Sequence, residues 1–180
     1  VLFCDLRGFT AFAETSEPED VMQVLGEYHG AVGELIFEHQ GTLERFAGDG
    51  IMVFFNDPVP CADHCERAVR LGVGIRDAVI DLSQGWLKRG YKLGIGVGLA
   101  AGYATLGRIG FDKRFDYAAI GTVTNVAARL CGEAVAGQIL LSQRVAAAVE
   151  GTFGARLLED RTLKGLHAPV PVYELGGGSH

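Results

Sequence analysis

TLERFAGDGIMVFF, residues 42–55, reads as a β-hairpin. TLERFA at 42–47 alternates, Gly48-Asp49-Gly50 makes the turn, and the apolar IMVFF at 51–55 returns as a second strand. Working outward, a helical stripe precedes it. Val21, Val24, Leu25, Tyr28, Val32, Leu35 and Ile36 recur at helix spacing, with Ser16 as the starting cap, Pro18 in the first turn and Gly41 as the stop. Ahead of that helix, VLFCDL at 1–6 is an apolar, β-forming run broken only by Asp5. After the hairpin a second long helix is predicted over 62–82, with Ala68, Val69, Gly72, Ile75, Val79 and Leu82 on one face. Residues 91–101 and 104–109 read as a Gly-rich hairpin, 115–120 as a short strand and 124–133 as a helix. A strand at 138–141, a short helix at 143–149 and strands near 155–158 and 170–175 close the chain. The order β-α-β-β-α-β predicts an α+β fold, a ferredoxin-like split βαβ sandwich with an extra hairpin and small C-terminal α/β additions.

No repeat or linker interrupts 1–175, so these residues are expected to form one domain, and GGGSH at 176–180 reads as an appended linker with the start of a tag. The abrupt opening in a strand leads to the expectation of an upstream regulatory domain that is missing here. Of 180 residues, 48% are hydrophobic and 21% charged, which supports a buried core and excludes disorder. Glycine is the outlier at 26 residues. It follows no three-residue period, so it is assigned to turns and close backbone contacts rather than to a collagen helix.

A formal charge of -6 argues against nucleic acid as a partner. Any phosphate must then be met by a few placed cations and backbone amides. The longest uncharged run, Leu93 to Gly107, has 15 residues, five of them glycine. That is short of the roughly 20 that span a bilayer, so no membrane contact is expected of this domain. The four cysteines show neither a CxxC pair nor disulfide-dense spacing, and a reduced, cytoplasmic setting is expected. Cys61, His64 and Cys65 offer only three ligands of metal-binding type and read as part of a plain helix.

Two acids stand where acids are not expected. Asp5 closes an apolar strand, where a carboxylate costs several kcal/mol unless it is paired or metal-bound. Asp49 sits in the hairpin turn, and in a ferredoxin-like sheet the first strand lies beside that hairpin. Both carboxylates can then converge, and two hard oxygen ligands make a magnesium site. Asp49 alone also fits an ordinary Gly-Asp-Gly turn. The stretch Arg7-Gly8-Phe9-Thr10 supplies backbone amides leading toward a helix, a cradle for a triphosphate. In NVAAR, Asn125 and Arg129 stand four apart on one helix face. That face is either solvated or set to contact a ribose and developing phosphate charge.

As a set, FCDLRGFT at 3–10, ERFAGDGIMVFF at 44–55, RFDYAAIGTVTNVAARL at 114–130 and LKGLHAPVPVYEL at 163–175 resemble the catalytic domain of class III nucleotidyl cyclases. The resemblance runs in order over nearly the whole chain. It implies that Asp5 and Asp49 hold two magnesium or manganese ions per site, that Asn125 orients the ribose, and that Arg129 stabilises the transition-state phosphate. Lys164 matches a lysine reaching the terminal phosphates, and Lys113 or Arg114 is expected to act likewise. It also implies a head-to-tail homodimer with two sites, the metal ligands of each coming from one protomer and Asn125 and Arg129 from the other.

In this family the base is read at two positions, which here are Arg45 and Ala118. Arginine only donates, so Arg45 suits adenine N1 and cannot accept from guanine N1–H and N2–H₂. Ala118 gives the adenine 6-amino group no side-chain acceptor, which loosens base selection. Glu44, next to Arg45, is expected on the opposite strand face. The resulting expectation is an adenylate cyclase converting ATP to 3′,5′-cyclic AMP and pyrophosphate. The alternatives are a guanylate cyclase and a nucleotide-binding pseudo-cyclase that dimerises without turnover.

Overall fold

The computed structural model describes residues 1–163 and 168–176. Along the chain run β1 (Leu2–Arg7), α1 (Phe9–Thr15), α2 (Pro18–Glu38), β2 (Thr42–Ala47), β3 (Gly50–Phe54), α3 (His64–Lys88) and β4 (Gly94–Leu99). Then follow β5 (Thr105–Phe111), β6 (Arg114–Ile120), α4 (Thr122–Glu133), β7 (Ile139–Ser142), α5 (Gln143–Val149), β8 (Ala155–Arg161) and β9 (Val170–Leu175). One sheet has the order β2-β3-β1-β4-β7-β9-β8, and β5 with β6 forms a separate two-stranded sheet. β1 is antiparallel to both β3 and β4. α2 therefore carries the chain past β3 to β2, and α3 carries it past β1 to β4, which is the split βαβ arrangement. β7 joins β4 in parallel and leads to β9 and β8, the C-terminal additions.

The alternation of β1 sorts its residues between two environments. Leu2, Cys4 and Leu6 enter the main core with Val24, Tyr28 and Val32 of α2 and Val69, Ile75 and Val79 of α3. Each large apolar side chain buried there contributes roughly 1.5–3 kcal/mol. Phe3 faces the other side, where it packs near Val123 and Ala127 of α4. Asp5 and Arg7 share that side, and the Arg7 guanidinium donates to the carbonyl of Cys131 in α4.

The stretch 91–109 is not a hairpin. β4 is the middle strand of the sheet, between β1 and β7, and β5 leaves to pair with β6. Glycine spacing explains the difference. Ile95, Val97 and Leu99 enter the main core, while Gly94, Gly96 and Gly98 leave the other face without side chains. A Cβ on Gly98 would collide with the amide nitrogen of Cys131 and the carbonyl of Ala127, so α4 lies with its backbone directly on β4. One on Gly96 would strike the Arg7 guanidinium. Gly98→Ala is therefore expected to cost about 1–3 kcal/mol, read as a lower urea midpoint. Gly107→Ala, where nothing lies within 4 Å, should not lower it.

Other local differences have plain causes. Gly8, at φ 82, turns the chain straight into the short helix α1. Ser16 ends α1 rather than capping α2, whose N-cap is Glu17, held extended ahead of Pro18. Gln40, not Gly41, takes the left-handed conformation after α2, at φ 57. Gly41 is needed for space, because a Cβ there would come 2.7 Å from Val53 Cγ1. α3 continues past Leu82 because Trp86 is buried and its indole N–H donates to Glu27 at 2.6 Å. No helix among the described residues is long and apolar enough to cross a membrane.

Candidate active site

The alternation that buries Cys4 and Leu6 turns Asp5 to the α4 side of the sheet. Its Oδ1 lies 2.9 Å from Arg7 Nη1, yet this buried oxygen has no aligned hydrogen bond. Asp49 reaches the same strand from the hairpin turn, where its Oδ2 accepts from the Leu6 amide at 3.0 Å. That bond ties the turn to β1 and brings the two carboxylates together. Burial pushes the Asp5 carboxyl above its ordinary range; Arg7 and the Cys131 thiol pull it back, and the Asp49 charge pushes it up again. Burial also disfavours the neighbouring thiolates: it pushes Cys4 up to about 12 and lifts Cys131 well above the ordinary range.

A buried carboxylate oxygen without a hydrogen bond, close to a second carboxylate, is stabilised when a cation joins the pair. The donor set fits magnesium or manganese, which take one or two carboxylates and fill the remaining positions with water and phosphate oxygens. No group of three or more His, Cys, Asp and Glu side chains forms among the described residues.

The turn carrying Asp49 has a second anchor, one the sequence reading missed. His29 of α2 hydrogen-bonds through Nε2 to the Gly48 carbonyl at 2.9 Å, and its ring packs on Phe46 with centroids 4.4 Å apart. The only local signal for it is a polar ring next to buried Tyr28 in the helix stripe.

Around Arg45 and Ala118 the structure corrects one expectation. The β2–β3 register shifts between Leu43 and Arg45, so Glu44 is the extra residue of a bulge. Glu44 does not point away from Arg45: its Oε1 lies 3.4 Å from Arg45 Nη2. The Glu44 side chain is 5% exposed, against 65% for Arg45. Its Oε2 accepts from the Ala119 amide of β6 at 3.4 Å. Ala118 is 3% exposed.

α4 starts at Gly121, where Thr124 Oγ1 donates to the Gly121 carbonyl at 2.7 Å. Val123, Ala127, Leu130 and Cys131 form its buried face. Asn125 and Arg129 are exposed one turn apart. Among the described residues no hydrogen bond or ion pair joins either of them to Asp5 or Asp49. Phe9 and Thr10 open α1 behind Gly8, so their amides have no helical acceptor. Lys113 and Arg114 are exposed at the turn between β5 and β6, with no such link to the carboxylates. Lys164 lies outside the described residues.

The family model for the adenylate and guanylate cyclase catalytic domain matches residues 1–176. The chain belongs to this cyclase family. Among solved structures, the cyclase domain is similar to the adenylyl cyclase CyaB from P. aeruginosa, with a TM-score of 0.95 and 32% identity over 99% of this chain and 93% of that one. It is also similar to the guanylyl cyclase Cya2, with a TM-score of 0.89 and 34% identity over 99% of this chain and 91% of that one. An adenylate cyclase of Anabaena cylindrica is 29% identical to the cyclase domain over 97% of this chain. Of that relative the chain spans 36%, and of adenylate cyclase 1 from Rhizobium meliloti 27%.

Proposed function

We propose that this cyclase domain converts ATP to 3′,5′-cyclic AMP and pyrophosphate between two head-to-tail copies. The observation that carries the reading is Asp5, whose buried Oδ1 meets Arg7 but has no aligned hydrogen bond, within electrostatic reach of Asp49, which the Leu6 amide holds over β1. Asp5 and Asp49 would hold two magnesium or manganese ions. When bound, these would lower the pKa of the ribose 3′-hydroxyl and neutralise phosphate charge. The amides of Phe9 and Thr10, placed by Gly8, face the phosphates, and Lys113, Arg114 and Lys164 add cations. Asn125 holds the ribose so that its 3′-oxygen stands in line with the α-phosphorus. Arg129 meets the charge that develops on the transferring phosphate. Arg45 donates to adenine N1.

The dimer reading rests on two features. Asn125 and Arg129 are exposed and unlinked to the carboxylates, so within one copy they lack the partner they need. The two-stranded arm exposes Ile109, Phe111 and Ile120 on one face, an apolar surface suited to a second copy. The adenylate cyclases among the relatives favour ATP. The 34% identity to a guanylyl cyclase favours GTP as the second reading. ATP as substrate sets the domain in the cytoplasm.

The test is product formation from ATP and, separately, GTP, with manganese and with magnesium. Cyclic AMP from ATP, rising more steeply than protein concentration, is the expected result. Cyclic GMP alone would move the assignment to guanylate cyclase, and no product in a dimer that still binds nucleotide would identify a pseudo-cyclase.

His29 supplies a further expected outcome. His29→Ala frees the Gly48 carbonyl and the Phe46 ring, so the turn holding Asp49 loosens. The manganese concentration for half-maximal activity should rise several-fold, below the roughly 10–100-fold of a ligand's direct partner. Saturating metal should restore most of the turnover.

A further inference from the structure

The base-reading position on β6 is an alanine, nearly buried and without a polar side-chain atom. Adenine presents an acceptor at N1 and a donor at its 6-amino group. Arg45 serves the first. Nothing at residue 118 serves the second.

The β2 bulge brings a carboxylate to this place. With one extra residue between Leu43 and Arg45, strand alternation breaks, and the buried Glu44 carboxylate comes within 3.4 Å of the exposed Arg45 guanidinium. The Ala119 amide holds Glu44 Oε2 against β6, one residue from Ala118, while Oε1 stays beside the Arg45 guanidinium. Both contacts are 3.4 Å, longer than a strong hydrogen bond, and a carboxylate accepts at roughly four lone-pair positions. Glu44 therefore keeps accepting capacity for a stronger donor. Side by side, Arg45 and Glu44 form one donor and one acceptor, the complement of the N1 and 6-amino edge of adenine.

We infer that Glu44 is the specificity-determining acceptor for the 6-amino group of the base, in place of residue 118. This rests on the adenylate cyclase reading above. Turned to guanine, the same pair would set Arg45 against O6 and Glu44 against N1–H, so GTP belongs in the test.

The experiment compares kcat/KM for ATP with that for purine riboside 5′-triphosphate, which carries hydrogen in place of the amine. The wild-type protein, Glu44→Ala and Glu44→Gln are measured alongside GTP. The wild-type chain should prefer ATP by roughly ten- to a hundredfold, the loss expected when one buried acceptor goes unpaired. In Glu44→Ala that preference should collapse to about twofold or less, because removing the acceptor costs only the substrate bearing the donor. Glu44→Gln keeps a side-chain oxygen and should retain most of the preference. If the alanine variant does not fold, Glu44→Met reads the same gap at nearly the original side-chain length.

A Glu44 that served only to brace β2 against β6 would lower both substrates together and leave their ratio unchanged, which would overturn the inference. So would a wild-type chain that makes cyclic AMP from ATP yet turns over the two purines equally. A wild-type chain that makes no cyclic AMP, or cyclic GMP only, overturns the adenylate reading itself and this inference with it.

Discussion

Asp49→Ala is expected to remove cyclic AMP formation almost completely while leaving the protein folded. Even the outer partners of a metal ligand are worth about 10–100-fold, so losing a ligand should cost more than 10²-fold. Asp49 also accepts the Leu6 amide, so the alanine variant loses the bond that holds the turn over β1. Asp49→Asn separates the two effects: its side-chain oxygen can still accept from Leu6, but it carries no charge. Both variants are expected to be inactive, with Asn melting closer to wild type. Asp5→Ala should be equally inactive and somewhat less stable, because it leaves the Arg7 guanidinium without the carboxylate 2.9 Å away. Product assays with manganese and magnesium, paired with thermal melts, check all three. Wild-type turnover in any of them would refute the two-carboxylate metal site.

Arg129→Ala should lower the rate by about 10²–10³-fold, or roughly 3–4 kcal/mol, the loss seen when one preorganised donor to transition-state charge is removed. Its effect on stability should be slight, since Arg129 is exposed on α4. The informative measurement mixes this variant with Asp49→Ala. In a head-to-tail dimer each mixed pair has one site with both defects and one with neither. Equal mixing then leaves about one quarter of the wild-type sites intact, because half the dimers are mixed and each carries one good site. Recovery to that level from two inactive proteins supports sites shared between protomers. No recovery, with mixed dimers formed, would place Arg129 in the same copy as the carboxylates.

The site was legible in the sequence to the extent that its residues broke local rules. Asp5 could be noticed because an acid inside VLFCDL conflicts with the burial of its neighbours. Asn125 and Arg129 could be paired because helix spacing alone sets them on one face. His29 could not be found this way, since its partner Gly48 lies 19 residues on and meets it only when α2 packs beside the hairpin. Glu44 was misread for a related reason. Alternation assigns it to the far face, and only the register against β3 reveals the bulge that reverses it.

Apart from the short α1, the order of elements, the two long helices and the hairpin were determined by the sequence alone, because each depends on periodicity and turn chemistry within a short window. The role of the Gly-rich stretch was not. Glycines at 94, 96 and 98 look the same in a hairpin as in a central strand that must admit a helix backbone on one face. That choice belongs to contacts with α4 and β7, more than 25 residues away in sequence, where close packing selects among locally equivalent strands. The same holds for the carboxylate pair. Asp5 stands out in its strand, but Asp49 is an ordinary turn residue until the pairing of β3 with β1 lays the Leu6 amide against it.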